Sequence, residues 1–140
     1  MINVLLVEDN RGDVRLTQEA FKEAPFESNL IALENGEKAL DYLQKKNEYG
    51  NAVTPHLVLL DLNLPKKSGL EVLEEVKKIE GIKRIPIIVL STSAREKDIL
   101  DCYDAYANCF FTKPLDMDEF MELIASIGAF WFDKVRLPLT

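Results

Sequence analysis

Three acids, a serine and a lysine each stand directly after a short apolar run. Glu8 and Asp9 follow VLLV, Asp61 follows LVLL, Ser91 follows IIVL and Lys113 follows CFFT. Three carboxylates held close together raise one another's pKa values unless a cation sits among them. An all-oxygen set of this kind suits a hard divalent ion, and Mg2+ takes one or two carboxylates while keeping several waters. The charges then balance, a divalent ion and the Lys113 ammonium against three acids. Such a centre polarises an incoming phosphoryl group and neutralises charge during in-line transfer. A carboxylate oxygen can itself be the nucleophile, giving an aspartyl phosphate. Asp61 is the best placed for that role, on a central run with the Glu8–Asp9 pair on the neighbouring one. The bland alternative is that an acid after a strand caps a helix or forms a turn, and Asp13, Asp98 and Asp116 are assigned to it. Asp61 alone would fall under the same reading. Five residues on four runs do not, because each position would need its own separate explanation.

These side chains can meet only if the runs that carry them lie side by side. Five apolar runs recur: Ile2 to Val7, Asn29 to Leu33, Leu57 to Leu60, Ile87 to Leu90 and Cys109 to Phe111. The first, third and fourth are continuously apolar and rich in Val, Ile and Leu, as expected of strands covered on both faces. Between and after them lie stretches with helical spacing. Leu16, Ala20 and Phe21 mark the first, and Ala39, Leu40 and Leu43 the second. Leu70, Leu73, Val76 and Ile79 mark the third, Ile99, Tyr103 and Tyr106 the fourth, and Phe120, Leu123, Ile124 and Ile127 the fifth. Strand and helix alternate five times, which predicts an α/β fold, a doubly wound parallel sheet with helices on both faces and right-handed crossovers. Pro25, Gly36, Pro55, Pro65, Gly69, Pro86 and Pro114 fall between elements, and Asp116 with Glu119 reads as a capping box for the last helix. Lys45 to Thr54 reads as a longer surface loop. In an open parallel sheet, ligands bind at the carboxyl ends of the strands, where all five chemical residues fall.

The 140 residues predict one domain, 1–140, with its core in 2–127. The 24 acidic residues against 17 Lys and Arg leave a net charge of −7, which repels phosphate backbones and anionic lipid and argues against nucleic-acid and membrane binding. The longest apolar run, Ile124 to Phe132, is far short of a membrane span, and the acids that follow MINVLLV do not suit a secretory signal. Cys102 and Cys109 read as small apolar side chains of a reduced, cytoplasmic protein. His56 reads as a surface or capping residue, and Lys77 and Lys78 as a solvated helix face.

The motifs VLLVEDN, LVLLDLNLPKKSG, IIVLST and FFTKP, in that order, resemble the receiver domain of two-component response regulators, over Ile2 to about Ile127. The resemblance implies a flavodoxin-like sheet of order 2-1-3-4-5. It implies Asp61 as phosphoacceptor from a phosphohistidine on a sensor histidine kinase, with Mg2+ on Asp9, Glu8, Asp61 and the carbonyl of Asn63. Lys113 would contact the phosphoryl oxygens, next to a cis Lys113–Pro114 bond. Ser91 fits the switch hydroxyl, with Thr92 as the adjacent alternative, and Phe110 falls where the family often has a switch Tyr. Thr92 is bulkier than the small residue often found there, which implies slower access of water to the phosphoryl group. The long loop from Lys45 widens the Asp9–Asp61 gap but lies at the edge opposite the carboxyl ends.

Residues 128–140 form an aromatic extension, too short for an output domain, so output is expected through protein contacts. Phe130, Trp131 and Phe132 would point ~100° apart on a helix, so one face of a monomer cannot bury all three. They either cover the chain's own core or anchor a partner, including a homodimer through the C-terminal helix. The FWFDKVRLP ending resembles the single-domain regulators of phytochrome-type kinases. The expected function is therefore a phosphorylatable signalling module, not a turnover enzyme. One alternative is a Mg2+-dependent phosphohydrolase with Asp61 as nucleophile, although such enzymes carry a second Asp where this chain has Asn63. The other is an interaction module independent of phosphorylation, against which the intact set Glu8, Asp9, Asp61, Ser91 and Lys113 argues.

Overall fold

The computed structural model describes residues 1–138; Leu139 and Thr140, the end of the aromatic extension, lie outside the described residues. Five parallel strands, β1 (Ile2–Val7), β2 (Ser28–Leu33), β3 (Leu57–Leu60), β4 (Ile87–Ser91) and β5 (Cys109–Thr112), form one sheet in the order β2-β1-β3-β4-β5. The helices α1 (Arg11–Glu23), α2 (Gly36–Gln44), α3 (Gly69–Val76), α4 (Glu96–Asp104) and α5 (Met117–Gly128) alternate with them. The expected architecture and strand order are those observed. Every residue of β3 and β4 is buried, as their uninterrupted apolar runs require of strands covered on both faces.

Side-chain alternation along the strands divides the core in two. Leu5, Val7, Val58, Leu60, Ile87 and Val89 meet Leu40, Leu43 of α2, Val72, Leu73, Val76 of α3 and Cys102 of α4. Val4, Leu6, Leu57, Leu59, Ile88 and Leu90 meet Ala20, Phe21 of α1 and Phe120, Ile124, Ile127 of α5. The register Leu6↔Leu59 and Val7↔Leu60 ends β1 and β3 level with each other, which brings Glu8 and Asp61 to one edge.

Several local expectations are corrected. Tyr103 and Tyr106 do not form the inner stripe of α4: they are exposed, and Cys102 is the buried residue of that helix. Cys102 is small enough to let α4 pack on the sheet, whereas the tyrosines carry hydroxyls that prefer water. Ile79 lies beyond α3, which ends at Val76. The reciprocal capping box forms at Ser68 and Glu71 on α3, while at α5 Asp116 caps the Glu119 N–H. Lys77 is not solvated. It is half-buried, and its Nζ donates to the carbonyls of Lys83 (3.1 Å) and Ile85 (3.1 Å) and to Asn108 Oδ1 (3.3 Å). His56 extends the β1 ladder, its N–H donating to the Asn3 carbonyl and its Nδ1 accepting from the Asn3 N–H. The loop after α2 contains a single 3₁₀ turn, Asn47–Tyr49, and feeds the amino end of β3, away from the edge that carries the acids.

Candidate functional site

Each site residue is fixed by the strand it leaves. The Asp61 N–H continues the ladder to the Val7 carbonyl (3.0 Å), the Glu8 N–H to the Leu33 carbonyl (3.0 Å) and the Lys113 N–H to the Ser91 carbonyl (2.7 Å). β1, β3, β4 and β5 thus deliver two acids, an acid, a hydroxyl and an ammonium to one edge, as the sequence implied. Glu8, Asp61, Ser91 and Lys113 are all buried, at 4%, 7%, 0% and 7% exposure, so their charges and dipoles act where water screens them weakly. Asp9, Asn63 and Thr92 are exposed at the rim.

Oxygens of Glu8, Asp9 and Asp61 all lie within 4.8 Å of one another. Burial, with the neighbouring Asp61 charge adding to it, pushes the Glu8 carboxyl up to about 7 despite its hydrogen bonds to Lys113 and to the Asn10 N–H. Burial likewise raises Asp61 above the ordinary range, against the pull of Lys113. Two dehydrated acids beside a third exposed one form an all-oxygen set that a hard divalent cation would relieve, so the donors present fit such an ion.

Lys113 ties the edge together. Its Nζ donates to Glu8 Oε2 (2.5 Å) and Asp13 Oδ2 (2.9 Å) and stands 3.7 Å from Asp61 Oδ2. Burial works against its charge, but these acids outweigh it and hold the ammonium above its usual pKa. Asp13 was missed from sequence, where it reads as a helix cap or a turn residue. The helix cap is instead Asn10, whose Oδ1 accepts from the Asp13 N–H (3.0 Å). That places Asp13 in the first turn of α1, where Cβ atoms tilt back toward the helix start and therefore toward the sheet edge. An acid three residues after a capping Asn is the signal that could have found it.

Lys113–Pro114 is trans, not cis: the described residues contain no cis peptide bond. Trans is the intrinsic preference even before proline, and here the Lys113 side chain already reaches its partners from the trans backbone. Ser91 and Thr92 differ in burial. Ser91 is wholly buried at the strand end and its Oγ accepts from the Ser93 N–H (3.1 Å), whereas Thr92 points to the rim. Ser93 in turn donates to Asp98 Oδ2 (2.5 Å), and Thr112 Oγ1 donates to the Ser93 carbonyl, so the turn after β4 is bonded to both α4 and β5. A cleft of about 530 Å³ over this turn is lined by Asn63, Ser91, Thr92, Ser93 and Asp98. Phe110 is half-buried against the α2–α4 side of the core.

The aromatic extension divides. Ala129–Lys134 is a π-helical continuation of α5. Phe132 stacks on Phe21 (5.8 Å) and meets Phe26 edge-on (4.7 Å), Trp131 is half-buried on the same cluster, and Phe130 is 54% exposed.

Residues 4–125 match the family model described as the response regulator receiver domain. The chain is similar to the response regulator Rcp1 of Synechocystis sp., 44% identical over 135 residues that span 96% of this chain and 92% of that protein. The crystal structure of the Mn(2+)-bound form of Rcp1 superposes with a TM-score of 0.96 at 42% identity, covering 99% of this chain and all of the other. The phosphorylated cyanobacterial phytochrome response regulator RcpA matches equally well, with a TM-score of 0.96 at 43% identity and 99% of each chain covered.

Proposed function

The chain belongs to the response regulator receiver family, and from that premise we propose that Asp61 accepts a phosphoryl group from a phosphohistidine of a sensor histidine kinase. The observation that carries this reading is the buried Asp61 carboxylate, grouped with Glu8 and Asp9 and faced by the Lys113 ammonium. An Asp61 oxygen forms the new O–P bond while the P–N bond breaks and its electron pair returns to the histidine ring. Glu8, Asp9, Asp61 and the Asn63 carbonyl would hold Mg2+, which when bound supplies positive charge against the phosphoryl oxygens. Lys113 supplies the second positive charge. Ser91, and not the exposed Thr92, is the hydroxyl that turns toward the phosphoryl group, and in doing so it releases the Ser93 N–H. Phe110 reads the change through packing, since it lacks a phenolic hydroxyl.

The same reading makes the protein a cytoplasmic signalling module, not a turnover enzyme, built as one domain over 1–140. Its output is a protein contact, including a homodimer through the C-terminal helix and the aromatic extension. The net charge of −7 disfavours nucleic acid as a partner, and no helix among the described residues is long and apolar enough to cross a membrane. Similarity to RcpA points to a phytochrome-type kinase as the donor. The test is incubation with Mg2+ and acetyl phosphate followed by intact mass spectrometry, beside Asp61→Asn. The expected result is a gain of one phosphoryl group that the variant lacks. No gain, from acetyl phosphate or from a phosphorylated kinase, overturns the reading.

A further inference from the structure

We propose that Asp13 is a positioning residue, which with Glu8 holds the Lys113 ammonium at a stand-off from Asp61 and so keeps room for a phosphoryl oxygen between them. The inference rests on the phosphoacceptor reading of Asp61 and adds a residue to it. A buried ammonium beside a carboxylate ordinarily closes to about 2.7–2.9 Å, the length of a charge-assisted hydrogen bond. Lys113 does not close on Asp61; it stops 3.7 Å from Oδ2. Two of its N–H bonds are directed elsewhere, to Glu8 at the end of β1 and to Asp13 on α1, and these contacts set where Nζ stands.

Asp13 is well anchored for this purpose. Its N–H donates to Asn10 Oδ1, and its carbonyl accepts from the Thr17 hydroxyl (2.7 Å), which is itself buried beneath the helix. The carboxylate therefore reaches Lys113 from a fixed helical turn. Glu8, by contrast, belongs to the acid group that would share a divalent ion, so its hold on Lys113 weakens when that charge arrives. Asp13 lies outside that group and remains for Lys113 alone. A phosphoryl group on Asp61 carries its outer oxygens two bonds beyond the carboxylate oxygen, into the space that separates it from the ammonium. A Lys113 collapsed onto the carboxylate would occupy that place and would have to be displaced.

The test uses beryllofluoride, a phosphoryl mimic that binds carboxylates, titrated with Mg2+ into the intact protein. Asp13→Ala and the isosteric Asp13→Asn are expected to bind it roughly tenfold more weakly, the loss of one hydrogen bond to a charged group. Asn serves as the deciding variant should Ala fold poorly. In the metal-free protein the Asp61 13Cγ resonance is expected to move in both variants as Lys113 closes on it, a signal that a merely structural Asp13 leaves in place. In a Lys113→Ala background, Asp13→Ala is expected to add nothing. Unchanged or tighter binding, an unmoved Asp61 resonance, or an independent loss without Lys113 each overturns the stand-off. If the wild type binds no beryllofluoride, the phosphoacceptor reading fails, and the metal-free resonance still decides the role of Asp13.

Discussion

Burial raises the proton affinity of the two buried acids of the sheet edge, Glu8 and Asp61. Glu8 titrates near 7 in the folded protein against 4.5 for an ordinary glutamate, because it is dehydrated and faces Asp61. Its folded pKa lies above its unfolded one, so between about 4.5 and 7 the folded state binds the extra proton and stability falls as pH rises. Asp61 is shifted in the same direction and adds to the trend. In EDTA the unfolding free energy read from urea melts is therefore expected to fall from pH 5 to pH 7.5, by on the order of 2 kcal/mol from Glu8. Millimolar Mg2+ should restore it by binding only the folded state. A flat profile in EDTA would refute this account of the acids. At the rim, Thr92 stands beside the buried Ser91 and lines the cleft over the turn after β4. Thr92→Ala is expected to shorten the phosphoryl half-life a few-fold by admitting water; equal half-lives would remove that role. Asp61, Glu8 and Ser91 were legible because a strand end is a place that the apolar run itself marks. Asp13 and Lys77 were not, since Lys113 meets Asp13 across 100 residues and Lys77 meets Asn108 across 31, through long side chains whose rotamers the sequence does not encode.

At the scale of elements, the site depends on how closely α3 approaches the end of β3. Gly69 opens α3, and a Cβ there would lie 2.1 Å from the Asp61 carbonyl oxygen and 2.7 Å from Leu62 Cα. Both are backbone atoms and cannot swing aside, so the turn that carries Asp61 would have to shift. Gly69→Ala is expected to cost about 2–3 kcal/mol and to abolish phosphoryl acceptance while leaving the far-ultraviolet circular dichroism of the native buffer state unchanged. Wild-type acceptance and stability would show that the turn is free to move. The alternation of strands and helices was legible from periodicity, and the parallel order followed from the family resemblance. The inner face of α4 was not: tyrosine at helical spacing imitates a core stripe, yet Tyr103 spends its hydroxyl on the Phe110 N–H (3.2 Å) at the surface. One small residue, Cys102, seats the helix instead.

Over the whole molecule, the end of the chain serves both the fold and its surface, and the three consecutive aromatics divide between the two. On a π-helical turn following α5, Phe132 closes over Phe21 and Phe26, joining the C-terminal segment to α1 and to the entry of β2. The ring of Phe26 also lies against Gly128, where any Cβ would meet it at 2.4 Å, so the aromatic cluster and the end of α5 are packed as one unit. Phe130 leans edge-on against Trp131 at 5.7 Å but leaves 54% of its surface to water. Spacing alone allowed either fate for each ring, because the change from α to π winding alters the direction in which consecutive side chains leave the helix. The two roles separate by substitution. Phe132→Ala removes a ring from a partly buried cluster and is expected to cost about 3 kcal/mol, read as a lowered urea midpoint. Phe130→Ala removes a ring that is more than half exposed and packs only edge-on against Trp131, so the unfolding free energy should stay within about 0.5 kcal/mol of wild type. If the aromatic extension is the contact through which copies associate, Phe130→Ala shifts the light-scattering mass toward the monomer at unchanged stability. Unchanged association in a fully folded Phe130→Ala would place the output on another face of the molecule.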